Sequence, residues 1–317
     1  MDSFTNFLKQ LSKTTGSKFN LIENNGREIF KGFDVKNCEV VSLNLSLNNK
    51  KVRLYIPKQY ENNSRLLEYI ITDKYKNIVS SNQKVIVDIL DGKKVDINSI
   101  KNAIPFISQK CNLFIVNVDG NKIEALDIIN KLYEDFEMIS VIYKDDIVII
   151  GSFDEVEEHA KGIRESIICD LYCKCYISIS NSINDYRNIR KSYFEALENM
   201  DLGKKFCIKG DIYYYKNILL TKIINNLKSD IKDELMYKYE NKLSKFDKDM
   251  IFTIQEFFRC ELNITNTAKK LYIHRNTLIY RLNKIKKDTG FDIRNFHESV
   301  IFIVIFYLWK EKNNKYF

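Results

Sequence analysis

Apolar residues open the chain at Phe4, Phe7, Leu8 and Leu11, the i, i+3, i+4, i+7 spacing that lays one stripe along a helix. After Gly16 the rhythm shortens. The runs KFNLIE and REIFKG flank Asn24, Asn25 and Gly26, and CEVVSLNLSL and KVRLYIP flank Asn48 and Asn49. An Asn-Gly step supplies the positive φ angles of a tight turn, so two consecutive hairpins are predicted. Residues 1–60 therefore read as a small helix-plus-sheet, sensor-like module. Its architecture is of the PAS or GAF kind, which often cradles small molecules or dimerises. The stretch SRLLEYIITDKY begins a helical connector over 61–92, with a second helical piece ending at Asp91 and Gly92.

From residue 93 strand and helix patterns alternate. LFIVNV reads as a buried strand and EALDIINKLYEDF as an amphipathic helix. MISVIY and IVIIGS read as strands around the turn Lys144, Asp145, Asp146, followed by a helix from Asp154, a strand at CYISIS and a helix at RNIRKSYFEALENM. The order βαββαβα predicts one antiparallel sheet covered by helices, a ferredoxin-like or cyclase-like α/β domain over 93–208. Beyond Gly210 the stripes Leu219, Ile223, Ile224, Leu227 and Leu235, Tyr239, Leu243 predict a helical linker over 209–241, leading into an all-α domain over 242–317. The fold class is multidomain α+β. Only two prolines, Pro57 and Pro105, punctuate the chain, so the boundaries are soft.

Within the last domain, TNTAKKLYIHRNTLIYRLNKIKK divides into two helices. The first takes Asn266 or Thr267 as its cap and buries Ala268 and Leu271; Tyr272 and Ile273 make the turn. The second starts near His274 and buries Leu278, Leu282 and Ile285, leaving Arg275, Asn276, Ile279, Asn283 and Lys286 on other faces. Charge sharpens this reading. The whole chain carries +8, yet residues 241–317 hold fifteen Lys+Arg against eight Asp+Glu, or +7, leaving +1 for the first 240. Between Glu261 and Lys287 seven cations face one acid. A basic excess confined to a helical pair is the footprint of a phosphate-binding module. Free N–H groups at the start of the second helix favour a phosphate, and Arg275 and Asn276 suit base edges.

The string TAKKLYIHRNTLIYRLNKI closely resembles the carboxy-terminal helix-turn-helix of the PucR/CdaR family of bacterial regulators. The likeness is carried by Thr267, Ala268, Leu271, Ile273 to Leu278, Tyr280 to Leu282 and Ile285, with Gly290 and Asp292 following. EEHAKGIRE, ISIS and SYFEALENM resemble pieces of the degenerate GGDEF-like domain that often precedes it. The resemblance implies a transcription regulator on double-stranded DNA, activating metabolic or catabolic genes in response to a small-molecule effector and working as a homodimer or higher homo-oligomer. On the pair of helices the expected DNA-contacting set is Thr267, Lys269, Lys270, His274, Arg275, Asn276, Thr277, Tyr280, Arg281, Lys284, Lys286 and Lys287.

The rival reading is a nucleotide-binding or diguanylate-cyclase-like enzyme fused to a DNA-binding domain. Asp145, Asp146 and Asp119 could hold Mg²⁺. Tyr143 and Lys144, however, stand where Gly-Gly would let a nucleotide approach the backbone, so no enzyme and no cofactor are expected. Cys169, Cys173 and Cys175 are close enough to suggest a metal. Cys173, Cys175, Ile177 and Ile179 alternate as on one buried strand face, and no second pair completes a tetrahedral zinc site. His159 and His297 are isolated. Seven cysteines, the absence of a ~20-residue apolar span and an amino terminus unlike a signal peptide predict a cytoplasmic chain with reduced thiols. The run VIFIVIFYLW is half that span; core packing is its first expected role and a subunit contact its second.

Overall fold

The computed structural model describes residues 2–313 apart from 36, 37, 48, 49, 109 and 135. The chain comprises an N-terminal α+β region, a central mixed-sheet domain and an all-helical C-terminal region. By contact density it forms two compact units, Met1–Met200 with Asp211–Tyr215, and Asp201–Gly210 with Lys216–Phe317.

The first unit opens with α1 (Asp2–Thr15), whose Phe4, Leu8 and Leu11 are buried as their spacing predicts. The strands β1 (Asn20–Glu23), β2 (Glu28–Lys31), β3 (Val40–Leu47) and β4 (Lys50–Pro57) make an antiparallel sheet ordered β2-β1-β4-β3. Gly26, at φ 88°, supplies the left-handed step of the first hairpin. The Asn48-Asn49 turn expected in the second lies outside the described residues. Leu21, Leu45, Leu47, Val52 and Leu54 pack beneath α1 and against Leu67 and Ile71 of α2 (Ser64–Leu90). α2 is one continuous 27-residue helix where two pieces were expected. Its middle, KNIVSSNQK, is polar but contains no Gly or Pro, so nothing interrupts propagation once the ends are packed. Asp91 and Gly92 end it, Gly92 at φ 81°. A short α3 (Ile97–Ala103), unforeseen from apolar spacing, is capped by Asp96, which accepts from the Ser99 N–H.

The central sheet combines β5 (Asn112–Val118), β6 (Met138–Tyr143), β7 (Asp146–Gly151), β8 (Cys175–Ile179) and β9 (Ile212–Tyr213) in the order β6-β7-β5-β8-β9. With α4 (Lys122–Leu132) and α5 (Val156–Leu171), its first four strands form a split βαβ arrangement whose neighbours are all antiparallel. β9, also unforeseen, joins parallel to β8. α4 stops four residues short of its expected end because Tyr133 turns inward. Its hydroxyl lies 2.9 Å from His159 Nδ1 and its ring packs edge-on to Phe136 and Phe153. Cys173 precedes β8 rather than lying on it. Ser178 is buried along with Cys175, Ile177 and Ile179, and donates to the Ala196 carbonyl at 2.6 Å, so both faces of β8 are covered. α6 (Ile189–Lys205) then leads the chain out.

The second unit is helical: α7 (Tyr215–Asn225), α8 (Ser229–Leu243), α9 (Lys248–Arg259), α10 (Ile264–Lys270), α11 (Arg275–Thr289) and α12 (Phe296–Lys312). On α7 the buried face is Ile218, Thr221 and Ile224, whereas Leu219 and Ile223 of the expected stripe are exposed. Leu227 lies past the helix end, and the buried Thr221 satisfies its hydroxyl by donating to the Ile218 carbonyl at 2.8 Å. α8 likewise buries Met236 and Leu243, leaving Leu235 only partly covered. α12 buries Phe302, Ile305, Phe306, Leu308 and Trp309 but leaves Val300 and Ile301 half exposed, so its apolar run is not covered on every side. Trp309 Nε1 donates to Ser244 Oγ at 3.1 Å, and the buried Lys310 donates to the Cys207 carbonyl at 2.9 Å.

Candidate nucleic-acid interface

α9 carries the helix pair. Its buried positions Met250, Ile251, Ile254 and Phe257 form one apolar side. The chain leaves through Glu261 and Leu262, both at positive φ, and enters α10 with Asn263 as cap, its Oδ1 accepting from the Asn266 N–H at 3.0 Å. The cap is thus three residues before Asn266 and four before Thr267, the two expected positions. Asn266 supplies the amide being capped, and Thr267 is fully buried with its hydroxyl donating to the Asn263 carbonyl at 2.7 Å.

Only Leu271, Tyr272, Ile273 and His274 separate α10 from α11. Ala268 is buried at the crossing, Tyr272 takes φ 53° with its ring 96% exposed, and the Ile273 N–H returns to the Ala268 carbonyl at 3.0 Å. His274 is the cap of α11: Nδ1 accepts from the Asn276 N–H at 3.2 Å, which requires the neutral ring with its proton on Nε2. Gly290, at φ 92°, ends the helix and donates its N–H to the Lys286 carbonyl.

Along α11, Leu278, Leu282, Ile285 and Thr289 are buried at i, i+4, i+7, i+11. Asn276, Tyr280, Asn283 and Lys287 repeat that spacing two residues earlier. At ~100° per residue they therefore face the opposite way. All four are exposed. Asn283 belongs to this outward stripe as fully as Asn276 does, although spacing and charge did not place it in the DNA-contacting set. Its signal was the helical phase, not its charge. Arg275 and Lys286 lie on one flank, Thr277 and Lys284 on the other, all exposed, and Lys269 and Lys270 stand exposed in the last turn of α10.

Two cations of the segment are engaged internally. Arg281 donates to Thr253 Oγ1 at 2.8 Å and pairs with Asp249 at 3.1 Å, tying α11 to α9. Lys286 pairs with Asp292 at 3.2 Å. Arg294 also binds Asp292, and this bond above all holds the Asp292 carboxyl far below the ordinary carboxylate range.

The carboxylates of the central hairpin are engaged too. Asp145 pairs with Lys122 at 2.9 Å, Asp146 accepts from Asn117 at 2.6 Å, and Asp119 accepts from the Lys174 N–H at 2.6 Å. Lys144 occupies the tip at φ 53°. Burial pushes the Cys175 thiol up to about 12. Among the described residues no cluster of three or more His, Cys, Asp or Glu side chains is arranged to hold a metal ion. Nor, among the described residues, is any helix long and apolar enough to cross a membrane.

Residues 251–304 match the PucR C-terminal helix-turn-helix domain. Over longer stretches the chain is similar to curated regulators. It is 28% identical over 178 residues to the carbohydrate diacid regulator of Escherichia coli (strain K12), covering 54% of this chain and 46% of that protein. It is 23% identical over 234 residues to the proline-responsive transcriptional activator PutR of Bacillus subtilis (strain 168), covering 67% and 56%. To the DNA-binding transcriptional activator AdeR of the same organism it is 21% identical over 209 residues, covering 59% and 49%. The chain thus spans about half the length of the curated relatives it matches.

Proposed function

We propose that this chain is a sequence-specific, DNA-binding transcription regulator of the PucR/CdaR kind, acting on metabolic or catabolic genes under the control of a small molecule. The observation that carries the reading is the outward stripe of α11. Asn276 and Asn283 present amides that pair with adenine edges, and Tyr280 lies between them. Arg275 stands on a flank and, with Lys269, Lys270 and Lys284, is placed to take phosphates; Lys287 does so at the far end of the stripe. Thr267 and Arg281 act from inside the motif by fixing α10 and α11, and His274 acts through the cap. Two copies binding a two-fold operator complete the proposal, since helix-turn-helix modules read half-sites in pairs.

The split βαβ sheet supports a cyclase-like ancestry for the central domain. Catalysis is not part of the proposal, because Lys144 fills the hairpin tip and each of the three carboxylates is already held by a neighbour. Sequencing genomic fragments retained by the full chain tests the reading. The expected result is a small set of sites sharing an inverted repeat, with affinity falling steeply as salt rises. Retention without sequence preference would overturn it.

A further inference from the structure

Between the N-terminal sheet and helices α2 and α3 lies a cavity of about 340 Å³, within the size range of small-molecule sites. Its walls are mostly apolar, with Ile29, Leu47 and Val52 from the sheet and Ile78, Val79 and Val85 from α2. Glu23, at the end of β1, lines this cavity. The residue is only 7% exposed. Among the described residues its carboxylate takes one side-chain hydrogen bond, from Asn25 Nδ2 at 3.1 Å, and no ion pair; none of the lining residues is Lys, Arg or His. A largely buried glutamate in the wall of such a cavity, with no cation among the lining residues, offers an acceptor that a positive group on a ligand would match.

Resting on the regulator reading above, we infer that this cavity is the effector site and that its ligand is a small organic amine, the ammonium group on Glu23 and an apolar body against α2. Asn82, Ser99 and Asn102 line the same cavity and offer oxygens to further N–H groups. The Tyr75 and Phe4 rings, 5.1 Å apart and edge-on, add aromatic faces that attract a cation. Burial raises the Tyr75 phenol and the Glu23 charge raises it further, so the ring stays neutral and its hydroxyl is kept as a donor. A dicarboxylate would meet Glu23 with no compensating cation and is rejected.

The site also has a route outward. Tyr75, Val79 and Asn82, at i, i+4, i+7 on α2, line a second cavity of about 180 Å³ that reaches Asn130 and Ser140 of the central domain. Gln83, next along α2, donates to the Ser140 carbonyl at 3.0 Å. A ligand pressing on α2 therefore acts on a helix that is bonded to the central sheet.

Calorimetric titration of the full chain without DNA, using phenethylamine, 3-methylbutylamine and cadaverine beside the near-isosteric 3-phenylpropanoate, tests the inference. At least one amine is expected to bind saturably and the carboxylate not at all. The variants Glu23→Gln, which keeps shape and removes charge, and Val79→Trp, which fills the space, should each weaken the amine tenfold or more. Circular dichroism and retained DNA mobility shift verify that each variant is folded. No amine binding, equal binding of the carboxylate, or unchanged amine binding in both variants would overturn the effector assignment. Because titration is done without DNA, such a failure leaves DNA recognition standing. Loss of sequence-specific DNA binding by the unmodified chain would instead strike the regulator reading.

Discussion

Replacing Lys310 by methionine should stabilise the helical unit near neutral pH and lose that advantage in alkali. Lys310 is 3% exposed on α12, and desolvation lowers its ammonium from the ordinary 10.5 to about 8, so the group is still charged at pH 7. Holding the proton in the folded state under those conditions costs roughly 3 kcal/mol, at about 1.36 kcal/mol per pH unit of lowering. Methionine keeps the length and packing of the stem. It forfeits the bond to the Cys207 carbonyl, a loss of about 1 kcal/mol. The net gain at pH 7 is therefore about 2 kcal/mol. Between pH 8 and 10.5 the unfolded chain binds a proton here that the folded chain does not, so wild-type stability at this site rises with pH. By pH 10 the residual cost is below about 1 kcal/mol and the variant should at best match the wild type. Trp309 is the chain's sole tryptophan and lies buried beside Lys310, so its fluorescence during urea unfolding reports this unit. With an m-value of about 2 kcal/mol/M the midpoint should move up by ~1 M at pH 7 and hardly at pH 10. A variant that is less stable at pH 7, or a difference that does not change with pH, would refute the reasoning.

Three further outcomes are expected. In mobility-shift assays Asn276→Ala and Asn283→Ala should each cost the selected site about 1–3 kcal/mol with little effect on random DNA, whereas Arg275→Ala should weaken both and reduce the salt slope by ~1; equal losses on both DNAs for the two asparagines would remove them from base reading. Gly290→Ala places a Cβ at φ 92° and should destabilise the helical unit by about 1–2 kcal/mol, read as a lower urea midpoint by Trp309 fluorescence. Asp292, whose folded carboxyl is depressed chiefly by Arg294, contributes stability that is present above its ordinary range near 4 and lost as pH falls through the folded value. Asp292→Asn should consequently be less stable than wild type at pH 7, with the gap closing in acid.

The sequence made the helix pair legible because burial and charge converge there: Leu278, Leu282 and Ile285 are buried at the expected spacing and the cations crowd around them. Local chemistry alone could not show which polar residues are used internally. Thr267 looks like a cap and is a buried packing group; Arg281 looks like a phosphate ligand and is bonded to Thr253 and Asp249, 28 and 32 residues away. The strands of both sheets followed from their apolar runs. β9 did not, since two residues carry no periodicity, and α3 is announced only by the Asp96 cap. On α7 the hydrophobic stripe was right for Ile224 and wrong for Leu219 and Ile223, because leucine and isoleucine at five of eleven positions leave the phase to tertiary contacts. The cavity at Glu23 was invisible for a similar reason: its walls come from seven separate elements.

If the outward stripe of α11 reads DNA as proposed, it also sets how much information one copy can extract. From Asn276 to Lys287 is eleven residues, ~16 Å of helix at 1.5 Å per residue. Against DNA that advances 3.4 Å per base pair, this reach corresponds to about five base pairs. Five positions distinguish roughly a thousand sequences, while a genome offers on the order of a million or more competing sites. A single module would thus find its word on the order of a thousand times by chance. On the reading proposed above, two modules reading ten positions would bring chance occurrences down to about one per million sites, which is what pairing of copies would add.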